Sequence, residues 1–139
     1  MYKCLLNTDI LSEITKGVDV NVMAKATAYR TAFSRYTLSV FSVVETIKGY
    51  HRVRRPDRIA QFRSSLIGEE ILTLGVTTAD LAGHIFADLE LAGQPIGRMD
   101  PMIAAIAIEN GLTLVTGNTA HYVRISALGY ALKFDNWRI

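Results

Sequence analysis

The chain has 139 residues, half of them hydrophobic, and a formal net charge of +2. That length suits one α/β domain and is short for two, and the charge is too small to argue for a nucleic-acid partner by itself. The longest uncharged apolar run, Met102 to Ile108, falls far short of the roughly 20 residues needed to cross a bilayer. No basic, apolar, small-residue signal pattern opens the chain, so no membrane association and a cytoplasmic location are expected.

Apolar runs of strand type alternate with segments of helical period, the pattern of a mainly parallel sheet covered by helices. Tyr2 to Leu6 reads as the first strand, with the single cysteine, Cys4, packed inside it as a small hydrophobe. Asp9 can cap a helix from Ile10 to about Lys16, stopped by Gly17. Asn21 to Phe33 is a second amphipathic helix, and Tyr36 to Val40 a second strand. Ser42 opens the next helix, and the basic stretch Lys48 to Arg63 continues as helices broken near Pro56. Glu70 to Leu74 is a short strand. Thr77 and Asp80 have the spacing of a capping box for a helix ending near Gly93. After the loop Gln94 to Met99, Asp100 and Pro101 read as an N-cap followed by a first-turn proline, and Gly111 closes that helix. Leu112 to Thr116 is a strand, and Ala131 to Phe134 adds one more at an edge. No internal repeat or linker interrupts the chain.

In an open α/β sheet, sites form beyond the carboxyl ends of the strands. Those positions are polar or acidic here: Asn7-Thr8-Asp9 follows the first strand, Glu45 comes within five residues of the second, and Thr116-Gly117-Asn118 ends the strand after Asp100. Carboxylates gathered in one cleft repel each other and are costly to desolvate, so such a cluster persists mainly where cations neutralise it. A hard divalent ion, Mg²⁺ or Mn²⁺, prefers such oxygen ligands and suits phosphodiester hydrolysis by metal-activated water. Each residue also has a local reading. Asp9 and Asp100 are good N-caps, and Ser42-Val-Val-Glu45 has the form of a capping box.

Leu5-Leu6-Asn7-Thr8-Asp9 resembles the opening of the PIN-domain ribonuclease toxins of the VapC type, which usually read Leu-Asp-Thr followed by Asn or Asp. Ser42-Val-Val-Glu45, Gly97-Arg-Met-Asp100, Leu112-Thr-Leu-Val-Thr116-Gly-Asn118 and Asn136-Trp137 resemble the motifs that follow in that family, in the same order along the whole chain. The resemblance implies a single PIN domain over residues 1–139, a three-layer α/β fold with a central, mainly parallel sheet flanked by helices. It also implies an endoribonuclease toxin of a type II toxin–antitoxin system, using Mg²⁺ or Mn²⁺, forming a homodimer and held by a cognate VapB-like antitoxin. Position 7, Glu45 and Asp100 would form the catalytic metal site, supported by Thr8, Asp9, Thr116 and Asn118. Asn7 is the departure, because an amide offers one neutral carbonyl oxygen where the family has an anion, and its NH₂ group is a donor that a cation repels. Three origins of Asn7 stand open: a replacement that silences a toxic nuclease, natural loss of activity, or a natural site that leans on Asp9. Activity is therefore expected to be weakened or lost, and a catalytically silent PIN module that binds RNA or antitoxin is the alternative.

The segment from Lys48 to Arg63 concentrates Arg52, Arg54 and Arg55 beside the helix bearing Glu45, with Tyr50 and His51 among them. That mixture suits single-stranded RNA, though a solvated helical face explains it equally. Arg98, two residues before Asp100, is a further candidate phosphate contact. No Cys or His stands at zinc-ligand spacing from His84 or His121. His84 reads as part of an exposed helix face and His121 as a polar residue near the site mouth. An aspartyl-phosphate phosphatase would need an aspartate at position 7 and a lysine after a later strand, and neither is evident.

Overall fold

A computed structural model describes residues 1–139. Three short parallel strands, β1 (Cys4–Leu6), β4 (Thr113–Val115) and β5 (Lys133–Asp135), form a sheet in the order β1-β4-β5, and β2 (Thr37–Ser39) pairs in parallel with β3 (Glu70–Leu72). β2 lies alongside β1 without a backbone ladder. The Cys4 N–H donates instead to the Tyr29 hydroxyl at 3.1 Å, so a buried side chain satisfies a donor that strand pairing leaves free.

The strands divide two cores by simple alternation. Leu5 and its partner Leu114 enter one cluster, while Leu6 and its partner Val115 enter the other, because successive side chains on a strand point to opposite faces. Beneath the first face lie α5 (Val76–Leu91), α6 (Asp100–Glu109) and α7 (Thr119–Ala127). Ile103 to Ala107 of α6 are all buried, and the run Ala104, Ala105, Ala107 carries no side chain beyond Cβ, which suits the close packing of α5 along it. Against the second face pack α1 (Thr8–Lys16) and α2 (Val20–Phe33), where Tyr29 stacks near Phe33, Tyr36 and the buried Trp137. The layers are helix, sheet, helix, as expected. α3 (Val40–Arg52) and α4 (Pro56–Leu66) extend from β2 along the side of α1.

Several local expectations are corrected. α1 starts at Thr8, not Ile10, and Asn7 is its N-cap, its side-chain oxygen accepting from the Thr8 N–H, while Asp9 lies in the first turn and reaches across to another loop. The cap of α3 is Ser39, whose hydroxyl accepts from the Ser42 N–H, so Ser42 and Glu45 form no capping box: the helix begins three residues earlier, directly at the end of β2 with no intervening loop. Thr77 and Asp80 form none either, since α5 already starts at Val76 behind Gly75, with no side-chain cap bond. Asp100 is the first helical residue of α6 rather than its cap, which is Met99. The expected break near Pro56 is present: α3 ends at Arg52 and Pro56 starts α4, its missing N–H falling where no helical bond is needed. α7 is a helix that the elements expected from the sequence do not include.

Candidate functional site

Asn7 follows the last residue of β1 and is held there by two backbone bonds: its N–H donates to Val115 of β4 at 2.9 Å, and its carbonyl accepts from Leu11 of α1. The residue is 4% exposed. With Oδ1 committed to the Thr8 N–H at 2.9 Å, Nδ2 donates to Thr116 Oγ1 at 3.1 Å and to the Tyr122 hydroxyl at 3.3 Å. Tyr122 is fully buried on α7 and donates onward to Asp100 Oδ1 at 3.1 Å. Burial, followed by the charge of Asp100 and then that of Glu45, pushes its hydroxyl far above the ordinary tyrosine range. Tyr122 therefore stays protonated and lies within the field of both carboxylates.

The second oxygen of Asp100, Oδ2, takes His121 Nδ1 at 2.8 Å; a carboxylate only accepts, so that nitrogen carries the proton. Both Asp100 oxygens are thus oriented by successive residues of α7. On the other side, Thr8 Oγ1 donates to Glu45 Oε1 at 2.7 Å and sits 2.9 Å from the buried Ser42 hydroxyl. Glu45 Oε2 is left for other partners. The side chains of Glu45, Asn7 and Asp100 come together in this way through Thr8 and Tyr122, at the ends of the parallel strands. A second branch ties the loop after β4. Asp9 Oδ2 accepts the Gly117 N–H at 2.7 Å, Asp9 Oδ1 lies 3.5 Å from the Thr116 hydroxyl, and Thr116 Oγ1 also accepts the Asn118 N–H at 3.0 Å. Asn118 is exposed and serves through its backbone alone.

The donor set contains only hard oxygens, which fits Mg²⁺ or Mn²⁺, and Glu45 and Asp100 would carry the charge. No three His, Cys, Asp or Glu side chains gather closely enough to hold an ion, and position 7 contributes an amide. Tyr122 and Gly117 are the residues that sequence reasoning missed. A Cβ at Gly117 would stand 2.5 Å from Arg138 Nη1 and 2.7 Å from Asp9 Oδ2, so the glycine leaves room for that ion pair. The i, i+3 pair Tyr122 and Ile125, both buried, was the available signal for α7.

Along α1 and α3 runs a groove of about 540 Å³ that begins at Thr8 and Glu45 and continues past Leu11, Tyr50, Arg52 and Phe62. It adjoins a second hollow of about 500 Å³ that Lys16, Arg55 and Arg58 line. Arg52 and Arg54 are exposed, the latter in a left-handed turn at φ 56°, while Arg55 is tied to Asp57 by two hydrogen bonds of 3.0 and 2.9 Å. Arg98 is exposed on the loop before Asp100. His84 is exposed on α5 beside Asp80, and Cys4 is buried, its thiol pushed up to about 11 mainly by desolvation.

An α/β protein with a carboxylate-bearing cleft at the ends of its parallel strands is the class that fold and site define. The PIN domain family matches residues 4–126. Two proteins named tRNA(fMet)-specific endonuclease VapC, from Shigella flexneri and from Salmonella typhimurium, are 28% and 30% identical to the chain, each over 99% of both sequences. A crystal structure of DNA-bound VapBC from Salmonella typhimurium superposes with a TM-score of 0.82, covering 99% of each chain at 27% identity. The chain belongs to the PIN-domain family, and its relatives there are of the VapC type.

Proposed function

We propose that this chain is a VapC-type endoribonuclease toxin whose cleft works with Mg²⁺ or Mn²⁺ and is weakened by Asn7. The observation that carries the reading is the hydrogen-bonded set Glu45, Thr8, Asn7, Tyr122 and Asp100 at the ends of the strands. When bound, a hard divalent ion supplies an acidified water and neutralises charge on the phosphate being hydrolysed. The chain's own residues prepare that chemistry. Tyr122 and His121 fix the Asp100 carboxylate, Thr8 fixes one oxygen of Glu45 and leaves the other, and Asn7 contributes a neutral group between them. A carboxylate missing from position 7 lowers affinity for a hard cation. A loss of about 10² to 10⁴ in rate would correspond to roughly 3 to 5 kcal/mol of transition-state stabilisation.

RNA is the substrate class that the relatives' names suggest, and the groove from Glu45 past Tyr50 and Arg52 gives a single strand a path with cations for phosphates and an aromatic ring for a base. A VapB-like antitoxin is the proposed partner, since the similar Salmonella structure is a VapBC pair, and the working form is proposed to be a cytoplasmic homodimer with one PIN domain per chain. A second reading, a silent module that binds RNA or antitoxin without cleaving, is favoured by one observation: both N–H groups of the Asn7 amide, and one lone pair of its oxygen, are already used inside the protein.

Cleavage of single-stranded RNA by the chain and by Asn7→Asp, with Mn²⁺ and without antitoxin, tests the proposal. The expected result is little or no cleavage by the chain and clear cleavage by the variant, abolished by EDTA and by adding Asp100→Asn. If Asn7→Asp stays inert across varied RNAs, the silent module replaces the nuclease.

A further inference from the structure

The direction of each hydrogen bond around Asn7 follows from chemistry, not from how an amide is drawn. The Thr8 N–H can only donate, so the atom 2.9 Å from it is the amide oxygen and the other, Nδ2, faces Thr116 and Tyr122. Tyr122 has one proton. Asp100 has none to give, so the proton of Tyr122 lies on the 3.1 Å bond to Asp100, and the hydroxyl turns a lone pair toward Asn7. Thr116 repeats the pattern: its oxygen accepts from the Asn118 N–H and from Asn7, and Asp9 is the acceptor left for its proton. Two hydroxyls committed to two carboxylates therefore present two acceptors to position 7, and an amide has two N–H groups to meet them.

From this we infer that the cleft is built around a neutral donor at position 7, and that Tyr122 is the positioning residue that enforces it by giving its proton to Asp100. An aspartate at position 7 would keep the bond from the Thr8 N–H but turn its second oxygen toward two lone pairs, in a pocket where residue 7 is 4% exposed. It would gain a bond only by drawing the Tyr122 proton away from Asp100 or the Thr116 proton away from Asp9. Positions 7 and 100 thus compete for one proton, and the present sequence resolves the competition in favour of Asp100. These bonds belong to the metal-free protein, and only their consequence for catalysis rests on the nuclease reading.

The test is a double-mutant cycle on metal-free protein, comparing the chain with Asn7→Asp, Tyr122→Phe and the double variant by thermal denaturation, together with NMR of the Asn7 side-chain amide. Tyr122→Phe is expected to lower Tm more in the Asn7 background than in the Asn7→Asp background, because the bond from the amide to the hydroxyl exists only in the first. Both Asn7 amide protons should exchange slowly in the unaltered chain, and one should exchange faster in Tyr122→Phe. An equal or larger Tm loss from Tyr122→Phe in the Asn7→Asp background would show the hydroxyl serving a carboxylate at position 7 and overturn the inference. Should the double variant fail to fold, the unaltered chain decides alone: fast exchange of either amide proton sinks the idea. RNA cleavage enters none of these readouts, so failure of the nuclease reading leaves them intact.

Discussion

Gly117 shows how a single missing Cβ holds the loop after β4. Its N–H binds Asp9 at 2.7 Å, and the space a methyl group would fill is taken by the Asp9 carboxylate and the Arg138 guanidinium. Arg138 is a half-exposed, flexible side chain and can step aside, whereas Asp9 is held by the same backbone that would carry the new methyl. Gly117→Ala is therefore expected to destabilise the fold by about 1 to 3 kcal/mol, the usual cost of overpacking. Urea denaturation measures it, and a change near zero would mean that Arg138 alone absorbs the contact. The same residues show what the sequence could convey. Asp9 was legible as a helix-start residue, but its partner lies 108 positions away, and no local pattern specifies such a contact.

At the level of elements, the β2–β3 pair is tied across by Glu70. Its carboxylate accepts from the Thr37 hydroxyl at 2.7 Å and faces Lys3 at 3.0 Å and Arg35 at 3.5 Å. These contacts, the Thr37 bond foremost, hold its pKa below the ordinary value of 4.5. A carboxylate with a depressed folded pKa contributes stability above its ordinary value and loses it as pH falls through the folded value. Glu70→Gln should accordingly cost about 0.5 to 1.5 kcal/mol at pH 7, and the gap between the two proteins should close as pH falls below 4.5. Thermal melts of both proteins across pH 3 to 7, on the order of ten points, would show it; a gap independent of pH would assign the loss to packing instead. Element identity itself was largely legible, because apolar runs and helical period are local signals. The starts of α1, α3 and α5 were not, since each helix begins closer to the end of its preceding strand than the capping side chains in the sequence suggest.

Over the whole molecule, Glu45 stands at the head of the groove with Arg52 further along it, and Arg55 and Arg58 line the hollow that adjoins it. Arg52 and Arg54 are exposed, whereas the charge of Arg55 is neutralised by Asp57, whose carboxyl it holds down at about 2. RNA binding should therefore weaken in Arg52→Ala with Arg54→Ala, and the slope of log K against log salt should fall by about 0.7 for each phosphate that no longer meets a cation. Arg55→Ala should change that slope less than either. Equal slopes for all variants and the unaltered chain would return the basic segment to a solvated helix face.

Composition, periodicity and motif order were enough to indicate a helix-flanked parallel sheet and to mark Asn7, Glu45 and Asp100 as candidates, because strand alternation and helical period are written in neighbouring residues. The tertiary structure alone decided how those side chains are wired. Tyr122 lies 115 residues from Asn7 and 22 from Asp100, yet its hydroxyl joins them. A hydrogen bond depends on where a proton sits in three dimensions, and a buried hydroxyl with one proton and two polar neighbours must choose between them. Sequence marks the candidates for such a network, and packing decides which of them donates.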